Sequence, residues 1–137
     1  MEKQRISLFL TFNGKAQEAM KFYESVFFGS EITRLESYGK GSPLIAEGEE
    51  DRVLHGAMRI MGQEIFFLDM GSQYSAPSFT WASSIFVACA DEPEFDALFA
   101  ALSKDGSVMM GPESVGTIRK CAWVVDKFGV VWQPVWE

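Results

Sequence analysis

A chain of 137 residues, 47% hydrophobic and 14% aromatic, is long and apolar enough for one ordinary domain with a real core, which excludes intrinsic disorder. Its 19 acidic against 12 basic residues give a net charge of −7, which repels phosphate and argues against a nucleic-acid or anionic-membrane partner. With a single histidine, His55, multi-histidine metal sites are excluded as well.

The first segment, Ile6–Phe12, alternates with period two and reads as a strand, with Phe9 on the face opposite Leu8 and Leu10. A single helical stripe from Ala16 through Ala19, Met20 and Tyr23 to Phe27 predicts a helix, which Gly29 ends. Glu31–Tyr38 reads as a half-exposed strand, and residues 39–51, with three glycines, Pro43 and an acidic run, as a loop. Arg52–Met61 and Gln63–Met70 form a hairpin around Gly62. A two-residue turn at Met61-Gly62 sets His55 opposite Leu68, on the other face from Asp69; a bulge would reverse that.

After a linker the order repeats. Ser83–Ala90 is a strand, and Asp91 caps a helix with Pro93 in its first turn and Phe95, Leu98 and Leu102 as its stripe. Val108–Met110 is a short strand ended by Gly111-Pro112, and Lys120–Val125 pairs with Val130–Val135 around Asp126–Gly129. A four-residue connection there sets Trp123 against Trp132 on the helix side. It also sets Ala122 against Gln133, and Val124 against Val131, on the opposite side. The reading is an α+β fold of two βαβββ modules, curved half-barrel sheets with helices outside. It is a single domain over 1–137, with module one at 5–70, a linker at 71–82 and module two at 83–137.

No apolar run approaches the roughly 18 residues of a membrane span, and residues 1–5 lead into the first strand without a cleavage site. Cys89 and Cys121 lie in apolar stretches and read as free buried thiols of a reducing compartment. A cytoplasmic protein is expected.

Four blocks in order, LTFNGKAQEAMKFYESVF (Leu10–Phe27), VLHGAMRIMG (Val53–Gly62), IFFLD (Ile65–Asp69) and WVVDKFGVVWQ (Trp123–Gln133), resemble the PhnB-like group of the vicinal oxygen chelate superfamily. That superfamily holds glyoxalase I, extradiol dioxygenases and the fosfomycin and bleomycin resistance proteins. The resemblance implies a cleft whose metal ligands come from the first and last strand of each module. Carried over, those positions are Ser7, Asp69 or its neighbour, Ser83 or Ser84, and Gln133. One carboxylate, one amide and two hydroxyls are a poor set for a divalent transition metal, so no metal and no cofactor is expected. Similar proteins carry the label 3-demethylubiquinone-9 3-methyltransferase. A methyltransferase needs a Gly-rich turn between a strand and a helix, and Gly39-Lys-Gly41 has no helix after it.

The cleft face is expected to mix Phe9, Thr11, Ile65, Phe67, Phe86, Val131 and Gln133, apolar with sparse polar groups, as small-molecule pockets are. His55, with a proton exchangeable near neutrality, and Asp69 and Gln133 are the expected orienting groups. The expected ligand-binding set is therefore His55, Asp69, Gln133, Phe9, Phe67 and Phe86. A metal-free small-molecule-binding protein is favoured over catalysis, with the ligand open. The alternatives are a metal-dependent lyase, isomerase or dioxygenase around His55 and Asp69, and the methyl transfer of the family label. Phe79-Thr80-Trp81 and Val135-Trp136 read as contact residues of a two-fold homodimer.

Overall fold

Alternation in the first segment buries Leu10 and Phe12 and leaves Phe9 exposed, and it builds β1 (Leu8–Phe12). The computed structural model describes residues 3–137. Behind β1 follow α1 (Ala16–Val26), β2 (Glu31–Ser37), β3 (Val53–Ile60) and β4 (Gln63–Asp69). They form one sheet in the order β1-β4-β3-β2, in which β1 and β4 run parallel and the other neighbours antiparallel. The stripe of α1 buries Ala16, Ala19, Met20 and Tyr23. Tyr23 and Phe12 both place their rings about the Phe67 ring, at 6.1 and 6.0 Å between centroids. A Cβ on Gly56 would stand 2.9 Å from the Met20 sulfur and 3.0 Å from the Phe67 Cβ, so the close seat of α1 on β3 favours glycine there, and a larger residue would displace the Met20 thioether.

The second unit repeats the order with β5 (Ile85–Ala88), α2 (Glu92–Ser103), β6 (Ser107–Val115), β7 (Ile118–Val125) and β8 (Val131–Trp136), in a sheet ordered β5-β8-β7-β6. Asp91 caps α2 by accepting from the Glu94 amide at 2.9 Å, while the Glu94 carboxylate accepts from the Ala90 amide. Phe95, Leu98 and Leu102 face inward. The architecture is thus α+β, two four-stranded mixed sheets of βαβββ order, open rather than closed into barrels. The chain divides into units Met1–Pro77 and Ser78–Glu137. Among the described residues no helix is long and apolar enough to cross a membrane.

Two features differ from expectation. β6 does not stop at Gly111-Pro112 but continues to Val115, with breaks in register around Met110 and Glu113. It is an edge strand, where a proline and local irregularity are tolerated. The β7–β8 connection takes five residues, not four: Val125 pairs with Val131 and Val124 with Trp132. The cause is Asp126. Its carboxylate accepts from the Phe128 and Val130 amides and from the Trp132 indole N–H at 2.9 Å, which holds Val130 inside the turn. One extra residue shifts every pair, so Trp123 lies level with Gln133 and Ala122 with Pro134.

The β3–β4 turn has two residues, as expected. Both Met61 (φ 49°) and Gly62 (φ 81°) are left-handed, which suits Asn-Gly better than Met-Gly. Met61 is half exposed and anchors no core. Replacing it, Met61→Asn, is expected to add about 0.5–1 kcal/mol of stability, read as a melting temperature raised by about 2–5 °C.

Cys89 and Cys121 are free and buried. Burial, with the nearby Glu94 charge, pushes the Cys89 thiol up to about 11. Both thiols are expected to resist a soluble alkylating reagent at pH 8 in the native protein and to react fully in denaturant, checked by mass spectrometry.

Candidate functional site

The helices cover one side of each sheet; on the other side Phe9, His55 and Phe86 are exposed, while Ala57, Cys121, Val131 and Val135 are buried. In the first sheet β1 and β4 pair with Phe9 level with Phe66, and their rings lie 6.1 Å apart. Thr11 is level with Leu68 on the same side. His55 is exposed there too, level with Glu36 on β2 and one step beyond the Gly56–Phe67 pair, hence opposite Leu68. Arg34 donates two hydrogen bonds to the Glu36 carboxylate, at 2.9 and 3.2 Å. Glu36 is held below the usual carboxylate range, chiefly by that bond and in smaller part by His55. This face is therefore aromatic along β1 and β4 and charged along β2 and β3.

Phe67 and Ile65 do not belong to it. Parallel pairing sets Leu8 level with Ile65 and Leu10 level with Phe67, which turns both toward α1. Phe67 is 1% exposed, between Phe12 and Tyr23. Asp69 is also on the helix side, level with Phe12, and 1% exposed. One of its oxygens accepts from the Gly14 amide at 2.8 Å and the Ala16 amide at 3.0 Å; the other accepts from the Val53 amide at 2.9 Å. Lys15, at the start of α1, offers no side-chain cap, so β4 supplies the negative group that the helix N-terminus requires. The expected role of Asp69 as a group orienting a ligand in the cleft is replaced by this one. Around it the Tyr38 hydroxyl donates to the Asp69 carbonyl, and Arg52 donates to the Met70 carbonyl.

In the second sheet Phe86 is level with Gln133 on the side away from α2, and the Gln133 amide donates to the Ser84 hydroxyl. The shifted register brings Trp123 into the same row, level with Gln133, and not against Trp132. Trp132 faces the helix side with Val124. The face is read from Lys120, which shares it with Val124 and reaches Glu92 and Asp96 of α2. Trp81, in the irregular segment before β5, sets its ring edge-on to Trp123 at 5.8 Å between centroids and is 60% exposed. The Trp123 indole N–H is buried with no hydrogen-bond partner among the described residues. Trp123 escapes sequence reasoning as a site residue, since only the length of the β7–β8 turn places it on this face, and Trp81 reads from the sequence only as a dimer contact.

The positions that the resemblance gives to metal ligands do not fit a divalent transition metal. Ser7 accepts from the Gln4 amide, Ser84 and Gln133 bond to each other, and Asp69 faces the other way with its oxygens engaged. Among the described residues no three His, Cys, Asp or Glu side chains gather as a metal site.

Two βαβββ units with open sheets and first-to-last parallel strand pairs have the fold of the vicinal oxygen chelate class. The 3-demethylubiquinone-9 3-methyltransferase family model matches residues 4–135, and the chain belongs to that family, the PhnB-like group. The PhnB protein of Bacillus cereus is 38% identical, with 98% of this chain and 100% of that one covered and a TM-score of 0.86. A Pseudomonas aeruginosa protein is 25% identical over 98% of each chain, also at 0.86. The fosfomycin resistance protein FosX of Listeria monocytogenes shares the fold at 13% identity, covering 98% and 91%, with a TM-score of 0.62. No curated protein matches the chain.

Removing the Asp69 carboxylate leaves the buried Ala16 and Val53 amides, and the part-buried Gly14 amide, without an acceptor. Asp69→Ala is expected to cost at least about 3 kcal/mol, read by urea unfolding, while Asp91→Ala, at an exposed cap, costs about 1 kcal/mol.

Proposed function

We propose that this protein binds a small, largely aromatic molecule on the helix-free side of the second sheet, without a metal. The observation that carries this reading is the row Phe86–Gln133–Trp123 with Trp81 beside it. Phe86 and Trp81 are 59% and 60% exposed, and Gln133 and Ser84 are the polar groups among them. Exposed rings grouped around one amide have the make-up of a small-molecule site. Phe9 and His55, on the corresponding side of the first sheet, offer a second surface of the same kind.

A glyoxalase-type reaction would need His55 and Asp69 in one site, and they lie on opposite faces of their sheet. Methyl transfer finds as little support: Gly39 and Gly41 lie in the loop that leads into β3, a strand. We further propose a homodimer, since Ile6, Phe28 and Leu44 are exposed and apolar outside the binding row; light scattering at micromolar concentration is expected to give the mass of two chains.

A thermal-shift panel of neutral, cationic and anionic aromatic compounds tests the binding reading. A true ligand at 100 times its Kd adds about 2.7 kcal/mol of stability. Some aromatic member is expected to raise the melting temperature, and Zn²⁺, Ni²⁺, Mn²⁺ and chelator are expected to leave it unchanged. A panel with no response, or a rise with one of the metals alone, overturns the proposal.

A further inference from the structure

Among the described residues, the indole N–H of Trp123 is a buried side-chain donor with no hydrogen-bond partner. Tryptophan donates and cannot accept, so only an acceptor completes it. Buried donors without partners are rare in native proteins, and Trp N–H groups in particular find acceptors when they are enclosed. Its place is not incidental. Trp123 lies level with Gln133 on β8, Gln133 is level with Phe86 on β5, and Trp81 stands edge-on against Trp123 from a segment with no strand pairing. Two exposed aromatic rings, a side-chain amide and an unanswered donor thus meet on one face.

Charge narrows the acceptor. At −7 the chain disfavours anions, which weighs against carboxylates and phosphates. A purely cationic or hydrocarbon ligand would leave the Trp123 N–H as it stands. What remains is a neutral acceptor on a flat apolar body.

We propose that the Trp123–Gln133–Phe86 row, with Trp81 beside it, selects neutral planar aromatic molecules bearing a carbonyl oxygen, which accepts a hydrogen bond from Trp123 Nε1 once the ligand displaces the Trp81 edge that lies against it. This rests on the binding reading above and adds to it the class of ligand and the residue that chooses it.

A matched pair of probes tests it: 2-acetylnaphthalene, which carries the carbonyl, and 2-ethylnaphthalene, which has nearly the same shape without it. Both are titrated into ¹⁵N-labelled full-length protein, following the indole N–H resonances. The acetyl compound is expected to bind about tenfold more tightly, and it alone moves the Trp123 N–H signal, which is assigned by its loss in Trp123→Phe. In Trp123→Phe the two probes are expected to bind within about twofold of one another. Equal binding of both probes to the wild type, with the Trp123 signal unmoved, overturns this inference and leaves the binding reading standing. Binding of neither probe, with an unresponsive thermal-shift panel, overturns both. The wild-type comparison decides between these results even where the variant does not fold.

Discussion

A carboxylate taken out of water must be surrounded by donors, or its burial costs more than a small fold can supply. Asp69 meets that condition with backbone alone: the amides of Gly14 and Ala16 on one oxygen and Val53 on the other. Those three amides belong to the start of α1 and the start of β3, and Asp69 itself ends β4. One side chain therefore fixes where the helix begins, where the third strand enters and how far the fourth runs. Glu49 supports the same region. The amides of Ala46 and Ser72 hold its carboxyl below the usual range, and Arg52 bridges from it to the Met70 carbonyl. Burial and the Asp69 charge in turn push the Tyr38 phenol up.

Asp126 plays the corresponding part in the second unit, with two amides and the Trp132 indole on its carboxylate. These are the two buried acids of the described core. Each is consumed by backbone or by a core side chain, so neither is free for chemistry. The helix-free faces are left with rings, an amide, hydroxyls and the exposed group around His55.

The repeated βαβββ order was legible because amphipathic stripes and turn residues mark every element, down to the Asp91 cap and the Met61-Gly62 turn. Which side of a strand faces the helix was legible only where one side is polar. In Ile65–Leu68 both sides are apolar, so alternation could not tell Phe66 from Phe67, and parallel pairing with β1 decided it. The β7–β8 hairpin failed for a different reason. Its turn length depends on where the Asp126 carboxylate finds donors, a property of the folded turn and not of residue pattern. Shifting one residue put Trp123 in place of Ala122 opposite Gln133 on the helix-free face, while Trp132 stayed on the helix side. Of the expected site, Phe9, His55, Phe86 and Gln133 stand on that side of their sheets, while Phe67 and Asp69 stand on the other.

The parallel pairing of each unit's first strand with its last carries a consequence for synthesis on the ribosome. β4 lies between β1 and β3, and β8 lies between β5 and β7. A nascent chain that has emerged only through β3 holds two separated parts of a sheet, an α1 whose first amides lack their acceptor, and a β1 with no neighbour. Neither part can be stable by itself, because an isolated hairpin or short helix is marginal in water. The first unit must then form late and all at once, after Asp69 clears the exit tunnel. The second waits in the same way for β8. Until each closing strand arrives, the unpaired edges of β1 and β5 are open to association with other chains, which makes the interval before closure the stage at which a chaperone would matter most.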